Sequence, residues 1–348
     1  MGWSLQPIPM DRILIVRTGS LGDIVHTLPA VATLKHAFPC AELDWVVERQ
    51  WAPLLARNPH LARIHQLATR AWRRTPASST TWRSVFGAFR ALRERRYDCA
   101  LDFQGLVKSA AIARLSGAAT VVGFDRGESR EGVSALFYTS RVRPPSDGRP
   151  LHVVEQNLAI AAAVGAFEVV LEFSAPPAEE DIECIRATTP GPGRYAVLSP
   201  SAGWDAKRWP QEAYAALAFR VARELSLPVI INCGPGEERL AGRVVELAAE
   251  ARPRLLKPSV GELMALLGDA ALVVGGDTGP VHLAAAYQVP VVAIFGPTDP
   301  LRNGPFGARC RVVRSQQAAT TYSRKAGREA ISGVSVESVF NAITELLG

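Results

Sequence analysis

The sequence of 348 residues contains few cysteines, and their spacing is informative. The five cysteines are Cys40, Cys99, Cys184, Cys233 and Cys310, and no two of them form a C-x-x-C pair. This spacing argues against a zinc site and against a disulfide framework. Scattered thiols are typical of a reducing compartment, and we expect these five to be packed side chains.

Long apolar runs are also absent. No run approaches the ~18–20 residues that a bilayer-spanning helix needs. Residues 1–9 lack the basic segment and apolar core of a signal peptide, so we expect no cleaved leader. Hydrophobic residues nevertheless make up 48% of the chain and charged residues 21%, which is typical of a globular protein.

Acidic residues are almost missing from one segment. Arg57 to Arg96 contains ten arginines and a single acid, Glu94. Residues 1–150 hold 21 Lys and Arg against 12 Asp and Glu, whereas residues 151–348 hold 18 against 21. The first half is therefore predicted to meet an anionic partner, and nucleic acid and an anionic membrane surface both fit.

Short apolar runs alternate with helical patterns throughout, which predicts an α/β protein with parallel sheets covered by helices. Strands are expected at Ile13–Val16, Leu43–Val47, Cys99–Asp102, Thr120–Gly123, Tyr195–Ser199, Pro228–Asn232, Arg254–Leu256, Leu272–Gly275 and Val291–Phe295. Helices are expected at Ile24–Ala37, Ser84–Arg95, Leu106–Leu115, Gln211–Leu225, Glu237–Ala251, Val260–Gly268, Val281–Tyr287 and Val336–Leu347.

The alternation breaks once, in a segment rich in proline and glycine between Phe173 and Tyr195. We therefore expect two Rossmann-like domains, at 1–174 and 194–334, joined by a linker at 175–193 and followed by a helix at 335–348. Ligands of such sheets bind beyond the carboxyl ends of the strands, so two facing domains would line a central cleft.

The loop after the first strand lacks both the G-x-G-x-x-G and the P-loop spacing. It carries Gly19 and Gly22, which would let the chain turn tightly, and then Asp23. A carboxylate repels phosphate, so Asp23 is not expected to bind phosphate in this loop. A plain helix N-cap is the alternative role for this aspartate.

The stretch from Val273 to Pro300 predicts an anion site. A buried strand ends in glycine, and Asp277, Thr278 and Gly279 then open a helix whose N-terminal N–H groups favour a diphosphate. His282 lies in the first turn of this helix and can add a donor. N-capping is the alternative for Asp277 and Thr278. No D-x-D sequence occurs, so a metal-bound diphosphate is not expected.

Four segments together resemble a known family. "RTGSLGDIVHTLPAV", "DFQGLVKSA", "AKRWP" and "GGDTGPVHLAAA…VPVVAIFGPTDP" are similar to the ADP-heptose:lipopolysaccharide heptosyltransferases of glycosyltransferase family 9. The resemblance implies a GT-B fold with the acceptor on the N-terminal domain. It also implies inverting transfer of L-glycero-D-manno-heptose from ADP-heptose to the Kdo of Kdo2-lipid A, without a metal or other cofactor.

The resemblance also implies roles for individual residues. Asp23 would be the catalytic base, and the donor would be bound by Lys207, Glu238, Asp277, Thr278, Gly279 and His282. Because Kdo2-lipid A is polyanionic, we expect it to be bound by Arg63, Arg73 and Arg74, with Lys108 and Arg130 as second choices. The arginine fork binds carboxylate and phosphate in bidentate fashion.

The expected partners are therefore ADP-heptose and Kdo2-lipid A, with no nucleic acid and no protein partner. The expected location is the cytoplasm, at the cytoplasmic face of the inner membrane. A family member with another acceptor, such as that of heptosyltransferase II, is the main alternative. A nucleotide-sugar epimerase on the same scaffold is a second, and a NAD-dependent oxidoreductase a weaker third.

Overall fold

The computed structural model describes residues 10–146, 148–307, 309–315, 318–321 and 329–348. The chain forms two compact units, Met1–Pro176 and Pro177–Gly348. Each unit contains one six-stranded parallel sheet with helices packed against it. This confirms the predicted α/β class. The expected linker at 175–193 contains a helix that packs within the second unit.

The first unit is built on a sheet of order β3-β2-β1-β4-β5-β6. Its strands are β1 (Arg12–Val16), β2 (Glu42–Glu48), β3 (Leu61–Leu67), β4 (Cys99–Asp102), β5 (Thr120–Phe124) and β6 (Ser140–Val142). Its helices are α1 (Leu21–Val25), α2 (Leu28–Ala37), α3 (Thr69–Arg74), α4 (Ser79–Glu94), α5 (Val107–Leu115) and α6 (Val153–Ala162).

The second unit has a sheet of order β12-β11-β10-β7-β8-β9. Its strands are β7 (Ala196–Ser199), β8 (Val229–Asn232), β9 (Arg254–Leu256), β10 (Leu272–Gly276), β11 (Val291–Phe295) and β12 (Cys310–Arg314). Its helices are α7 (Glu179–Thr188), α8 (Gln211–Glu224), α9 (Glu238–Leu247), α10 (Val260–Gly268), α11 (Gly279–Ala286), α12 (Pro300–Asn303), α13 (Glu329–Ser332) and α14 (Val336–Leu347).

Both sheets follow the doubly wound order in which the first and fourth strands of a unit are neighbours. These neighbours are β1 with β4, and β7 with β10, and the strand order reverses between them. Ligands of open α/β sheets bind at such a switch point, outside the carboxyl ends of the strands. Asp23 lies in the first turn of α1, after β1, and Asp277 lies in the loop after β10, so the fold places both aspartates at a switch point.

The central strands form the cores of the two units. Every residue of Ile13–Val16 and of Val291–Phe295 is fully buried, which explains their continuous apolar sequences. Cys99 and Cys233 are buried, but Cys40 and Cys184 are exposed, so the expectation that all five cysteines are packed is wrong for these two. Within the described residues, no helix is long and apolar enough to cross a membrane.

Three strands are not predicted by the sequence pattern, and all three are edge strands. β3, β6 and β12 each pair with a single neighbour. An edge strand is less enclosed than a central one, and β3 and β12 are largely exposed or half-buried. They therefore lack the continuous apolar run by which a buried parallel strand is recognised.

The predicted helix Ile24–Ala37 is in fact two helices, α1 and α2. The second has Thr27 at its N-cap position and Pro29 in its first turn, where a backbone N–H would have no partner within the helix. Helix α4 begins at Ser79, earlier than predicted, because the Ser78 hydroxyl accepts a hydrogen bond from the N–H of Thr80.

Candidate functional site

The loop between β1 and α1 turns at Gly19. This residue has a φ of +150°, and a Cβ there would lie 2.9 Å from the indole nitrogen of Trp51, so the position requires glycine. Gly22 instead lies inside α1 and is buried. The turning role expected of both glycines therefore belongs to Gly19 alone.

The carboxylate of Asp23 is held by three neighbours in the first unit. One oxygen lies 2.6 Å from the guanidinium of Arg17. The other accepts hydrogen bonds from the backbone N–H and hydroxyl of Ser20, at 3.0 and 3.1 Å, and lies 3.8 Å from Arg130. Ser20 is the N-cap and Asp23 the third helical residue, so Asp23 completes a capping box rather than being the N-cap itself.

These contacts keep the carboxylate charged. Burial raises the pKa of Asp23. The positive charges of Arg17 and Arg130 and the two hydrogen bonds from Ser20 together lower the pKa by more than burial raises it. The net result is a pKa below the ordinary value for aspartate. The side chain is still one-quarter exposed, so a ligand can reach an ionised carboxylate.

A second loop, between β4 and α5, fixes the first one. The side-chain oxygen of Gln104 accepts hydrogen bonds from the N–H and hydroxyl of Thr18, at 3.0 and 2.8 Å. Its amide group donates to the carbonyl of Gly19 at 3.3 Å. Arg17 donates to the carbonyl of Phe103. The sequence motif includes this loop, but its pattern alone assigns no role to Gln104 or Arg17.

The start of that second loop is organised by Asp102, which is fully buried. Its carboxylate accepts hydrogen bonds from the hydroxyls of Ser109 and Tyr138, at 2.8 and 2.7 Å, and from the N–H of Gln104 at 2.8 Å. Burial raises the pKa of Asp102 by more than these hydrogen bonds lower it. Since every oxygen is occupied from within the unit, its role is to hold the loop.

The predicted acceptor residues are only partly brought together. Arg130 lies beside Asp23, and Lys108 lies in the first turn of α5, 3.5 Å from Glu48 at the end of β2. Arg73 and Arg74 are exposed at the end of α3, and Arg73 lines the same cavity as Lys108. Arg63 is different, because it lies within β3, level with Leu14 of β1, and not in a loop at the carboxyl edge.

In the second unit, Asp277 is the centre of a polar cluster. Its carboxylate lies 2.5 Å from Lys207 and 3.2 Å from Nε2 of His282, and it accepts a hydrogen bond from the Thr298 hydroxyl at 2.8 Å. Burial raises its pKa, but His282 and Lys207 together hold the pKa far below the usual range. Lys207, His282 and Asp277 therefore lie together as predicted. Thr298 is a further member of this cluster that was not predicted from the sequence.

The N-capping alternative is wrong for Asp277 and right in position for Thr278. The carboxylate of Asp277 binds the side chains of Lys207 and His282, whereas Thr278 is the N-cap residue of α11 but makes no side-chain cap hydrogen bond. Its hydroxyl instead donates to the carbonyl of Gly276 at 3.3 Å. The N–H groups at the start of α11 are thus left without side-chain caps from these two residues.

The approach of Lys207 depends on the end of β10. A Cβ at Gly276 would lie 3.0 Å from the carbonyl oxygen of Lys207, and one at Gly275 would lie 2.9 Å from a methyl group of Val281. Both contacts involve neighbouring segments that pack closely. The paired glycines therefore bring the loop after β7, the end of β10 and the start of α11 together.

Helix α11 begins at Gly279, and Pro280 follows without an N–H to donate. The remaining N-terminal N–H groups and the helix dipole favour an anion here. Glu238 lies elsewhere on the same carboxyl edge, as the first residue of α9 after β8. Its carboxylate is exposed and forms an ion pair with Lys257 rather than with the Asp277 cluster.

A model of glycosyltransferase family 9 (heptosyltransferase) matches residues 85–330. The chain belongs to this family. The family-9 match spans both units and includes the loops that carry Gln104, Lys207 and Asp277. The predicted family resemblance is thereby confirmed, and the chain is a glycosyltransferase rather than an epimerase or an oxidoreductase.

Family-9 relatives match most of the chain. Lipopolysaccharide heptosyltransferase 1 of Pseudomonas aeruginosa is 36% identical over 304 residues, covering 85% of this chain and 81% of that protein. The Escherichia coli K12 protein of the same name is 33% identical and covers 87% and 93%. The structure of E. coli heptosyltransferase WaaC with ADP has a TM-score of 0.77 at 30% identity, covering 96% and 99%.

Metal ligation is a separate question for a family-9 enzyme. In the part of the chain that the structure describes, no three His, Cys, Asp or Glu side chains gather in a way that could hold a metal ion. The carboxylate of Asp277 is paired with the Lys207 ammonium group and accepts a hydrogen bond from the Thr298 hydroxyl. Metal independence stays a prediction from the sequence.

Proposed function

We propose that this family-9 glycosyltransferase transfers L-glycero-D-manno-heptose from ADP-heptose to the Kdo residue of Kdo2-lipid A. The observation that carries the proposal is the Lys207–Asp277 pair at the start of α11, in a chain 36% identical to a lipopolysaccharide heptosyltransferase 1. E. coli WaaC, 30% identical, has been solved with ADP and with ADP-2-deoxy-2-fluoro heptose.

The donor diphosphate is proposed to bind at the N-terminus of α11. The N–H groups there favour negative charge, which grows on the ADP oxygen as the bond to the anomeric carbon breaks. Lys207 is held beside this terminus by Asp277, which fixes the position of the ammonium group. These groups stabilise the leaving ADP without a metal ion in the scheme. Glu238 remains our candidate for the ribose hydroxyls.

Asp23 is proposed to act as the base. As the acceptor hydroxyl attacks the anomeric carbon from the face opposite ADP, its proton passes to the carboxylate of Asp23. One C–O bond forms, the bond to ADP breaks, and the configuration inverts, as in an inverting glycosidase with an alcohol in place of water. The pKa below the ordinary value keeps this carboxylate ionised at neutral pH, although it also makes the carboxylate a weaker base.

The acceptor is proposed to bind the first unit through its negative groups. Arg130 lies within 3.8 Å of Asp23 and is more than half exposed, so it can bind the acceptor carboxylate next to the base. Arg73 and Arg74 are proposed to bind more distant phosphates. Because this acceptor is held in a membrane, we also propose that the enzyme works at the cytoplasmic face of the inner membrane.

The test is a transfer assay with ADP-heptose and Kdo2-lipid A, with and without a chelator. We expect heptosylated lipid and ADP in equal amounts, unchanged by chelation. Asp23→Ala is expected to lower turnover by about 10²–10⁴-fold, the usual contribution of a positioned base, while ADP binding survives. Asp11→Ala, an exposed aspartate before β1, serves as the matched control.

Several results would contradict the proposal. Near-normal turnover by Asp23→Ala would exclude Asp23 as the catalytic base. Full activity on a heptosylated acceptor, with none on Kdo2-lipid A, would assign the enzyme to a later transfer. Donor conversion in the absence of any acceptor would indicate different chemistry.

A further inference from the structure

Helix α4 carries two aromatic side chains that its own unit does not cover. Trp82 is 52% exposed and Phe86 is 69% exposed, and their rings lie 6.0 Å apart on successive turns. The same helix is anchored near its C-terminus by Leu92, which is fully buried. The helix is therefore amphipathic, yet part of its apolar surface faces outward.

The exposed aromatic surface of α4 adjoins a cavity in the same unit. A cavity of about 510 Å³ lies among α3, α4 and α5. Its apolar lining includes Trp72, Trp82, Val85, Phe89 and Ile112, with Arg73 and Lys108 also in the wall. Trp82 thus belongs both to the outer face and to the cavity. A contiguous apolar surface of this kind marks a binding site more strongly than a single exposed aromatic ring does.

The charges around this surface have one sign. Arg73, Arg74 and Arg83 are exposed, and they form no ion pair with any residue that the structure describes. The only acid of the Arg57–Arg96 segment, Glu94, lies 2.8 Å from Arg90 and is neutralised by it. The positive charge on the other arginines is therefore not balanced within the segment.

We propose that the α4 surface, defined as Trp82, Phe86, Arg83, Arg73 and Arg74, docks onto an anionic lipid bilayer. Aromatic side chains with a polar edge favour the membrane interface, and arginines favour anionic headgroups, so the combination fits an interfacial helix. A protein partner would need acidic groups to match the arginines. The inference rests on the proposed function, whose acceptor is held in a membrane.

The location of the surface agrees with that function. Lys108 lies in the cavity wall and is also 3.5 Å from Glu48, at the carboxyl end of β2. Asp23 lies at the same edge of the same sheet, after β1. A bilayer at the α4 surface would therefore present its lipid headgroups to the edge of the sheet where the proposed base lies.

The test is sedimentation of the full chain with vesicles of phosphatidylcholine, alone or mixed equally with phosphatidylglycerol. We expect binding to the mixed vesicles and little to the neutral ones. The double variant Trp82→Gln/Phe86→Gln should bind about tenfold more weakly or worse, since burying one large apolar side chain is worth about that factor. Arg83→Gln should weaken binding only to the anionic vesicles.

Phe167→Gln provides the matched control, because Phe167 is a 65% exposed phenylalanine of the same unit that lies outside the α4 surface. It should bind vesicles like the unaltered chain. Equal binding of neutral and anionic vesicles, or equal loss in the control and the double variant, would overturn the proposal. So would unchanged vesicle binding by the double variant.

The transferase assay separates this inference from the proposed function. The double variant should keep its rate on water-soluble, deacylated Kdo2-lipid A. It should lose rate on intact Kdo2-lipid A carried in vesicles. A chain that binds vesicles as expected but transfers heptose to neither acceptor would refute the function and leave the docking surface. A chain active on both, with the double variant equally active on both, would refute the docking surface alone.

Discussion

At the scale of single residues, Asp23 is notable for its surroundings. A base is most effective when its pKa lies near the working pH, yet Arg17 and Arg130 hold the pKa of Asp23 below the ordinary value for aspartate. The two arginines differ in one respect. Arg17 is buried and also binds the carbonyl of Phe103, whereas Arg130 is more than half exposed and touches Asp23 only at 3.8 Å. Arg130 is thus the partner that an incoming acceptor anion can draw away.

This difference predicts an effect on the pH profile. Activity requires ionised Asp23, so rate is lost as the pH falls through the pKa of its carboxyl group. Removing a positive charge raises that pKa in the free enzyme, and Arg130→Met should therefore move the acid limb of kcat/KM for the acceptor to higher pH. The measurement is kcat/KM against pH at limiting acceptor.

Arg126→Met, in the same loop and exposed, should leave the limb in place. An unshifted limb in Arg130→Met would mean that Arg130 does not set the charge state of Asp23.

At the scale of elements, the first unit depends on how a loop packs against a strand. Tyr138 reaches Asp102 by lying against β5, where a Cβ at Gly123 would come within 2.4 Å of its ring. The glycine makes room for the ring, and the ring positions the hydroxyl that holds the β4–α5 loop. The β1–α1 loop is held in turn by Gln104. The position of Asp23 therefore depends on the contact between Tyr138 and Asp102, although neither residue touches Asp23.

Two Gly→Ala variants should therefore shift stability in opposite directions. Gly123→Ala should lower the free energy of unfolding by about 1–3 kcal/mol, the usual cost of overpacking. Gly87 lies in α4, and a Cβ added there would meet no atom within 4 Å, so Gly87→Ala should raise the free energy of unfolding by about 0.5–1 kcal/mol through helix propensity.

Chemical denaturation of both variants measures these changes. Equal effects of the two substitutions would show that the space beside Tyr138 is not what matters at Gly123.

At the scale of the whole molecule, the sequence allows prediction of what is local or fully buried. Central strands such as Cys99–Asp102 and Val291–Phe295 are predicted to the residue, because burial on both faces leaves a continuous apolar run. Three of the four edge strands, β3, β6 and β12, are missed because they lack that run, whereas the edge strand β9 is predicted. The pairing of Lys207 with Asp277 is beyond local patterns, because it joins loops 70 positions apart through the neighbouring strands β7 and β10.

The same limit applies to the first unit. Arg63 is a predicted acceptor residue on its charge alone, and nothing in its local sequence shows that it lies within a strand instead of a loop. Arg130 and Asp23 are distant in sequence, and a loop after β5 brings them together. The role of a residue can be predicted when it depends on one motif. A contact with a residue of another loop can be predicted only when the fold is known.

The two units should contribute separable binding functions, as the excess of positive charge in the first unit suggests. Lys207→Met removes the cation beside α11, so it should raise KM for ADP-heptose by about 10-fold or more, the value of one charge-assisted contact, and leave KM for the acceptor unchanged. Arg73→Gln/Arg74→Gln should do the reverse, and its effect should shrink with added salt because both arginines are exposed. Steady-state kinetics with each substrate varied in turn measures both constants. If either variant raised both KM values equally, donor and acceptor recognition would not be divided between the units in this way.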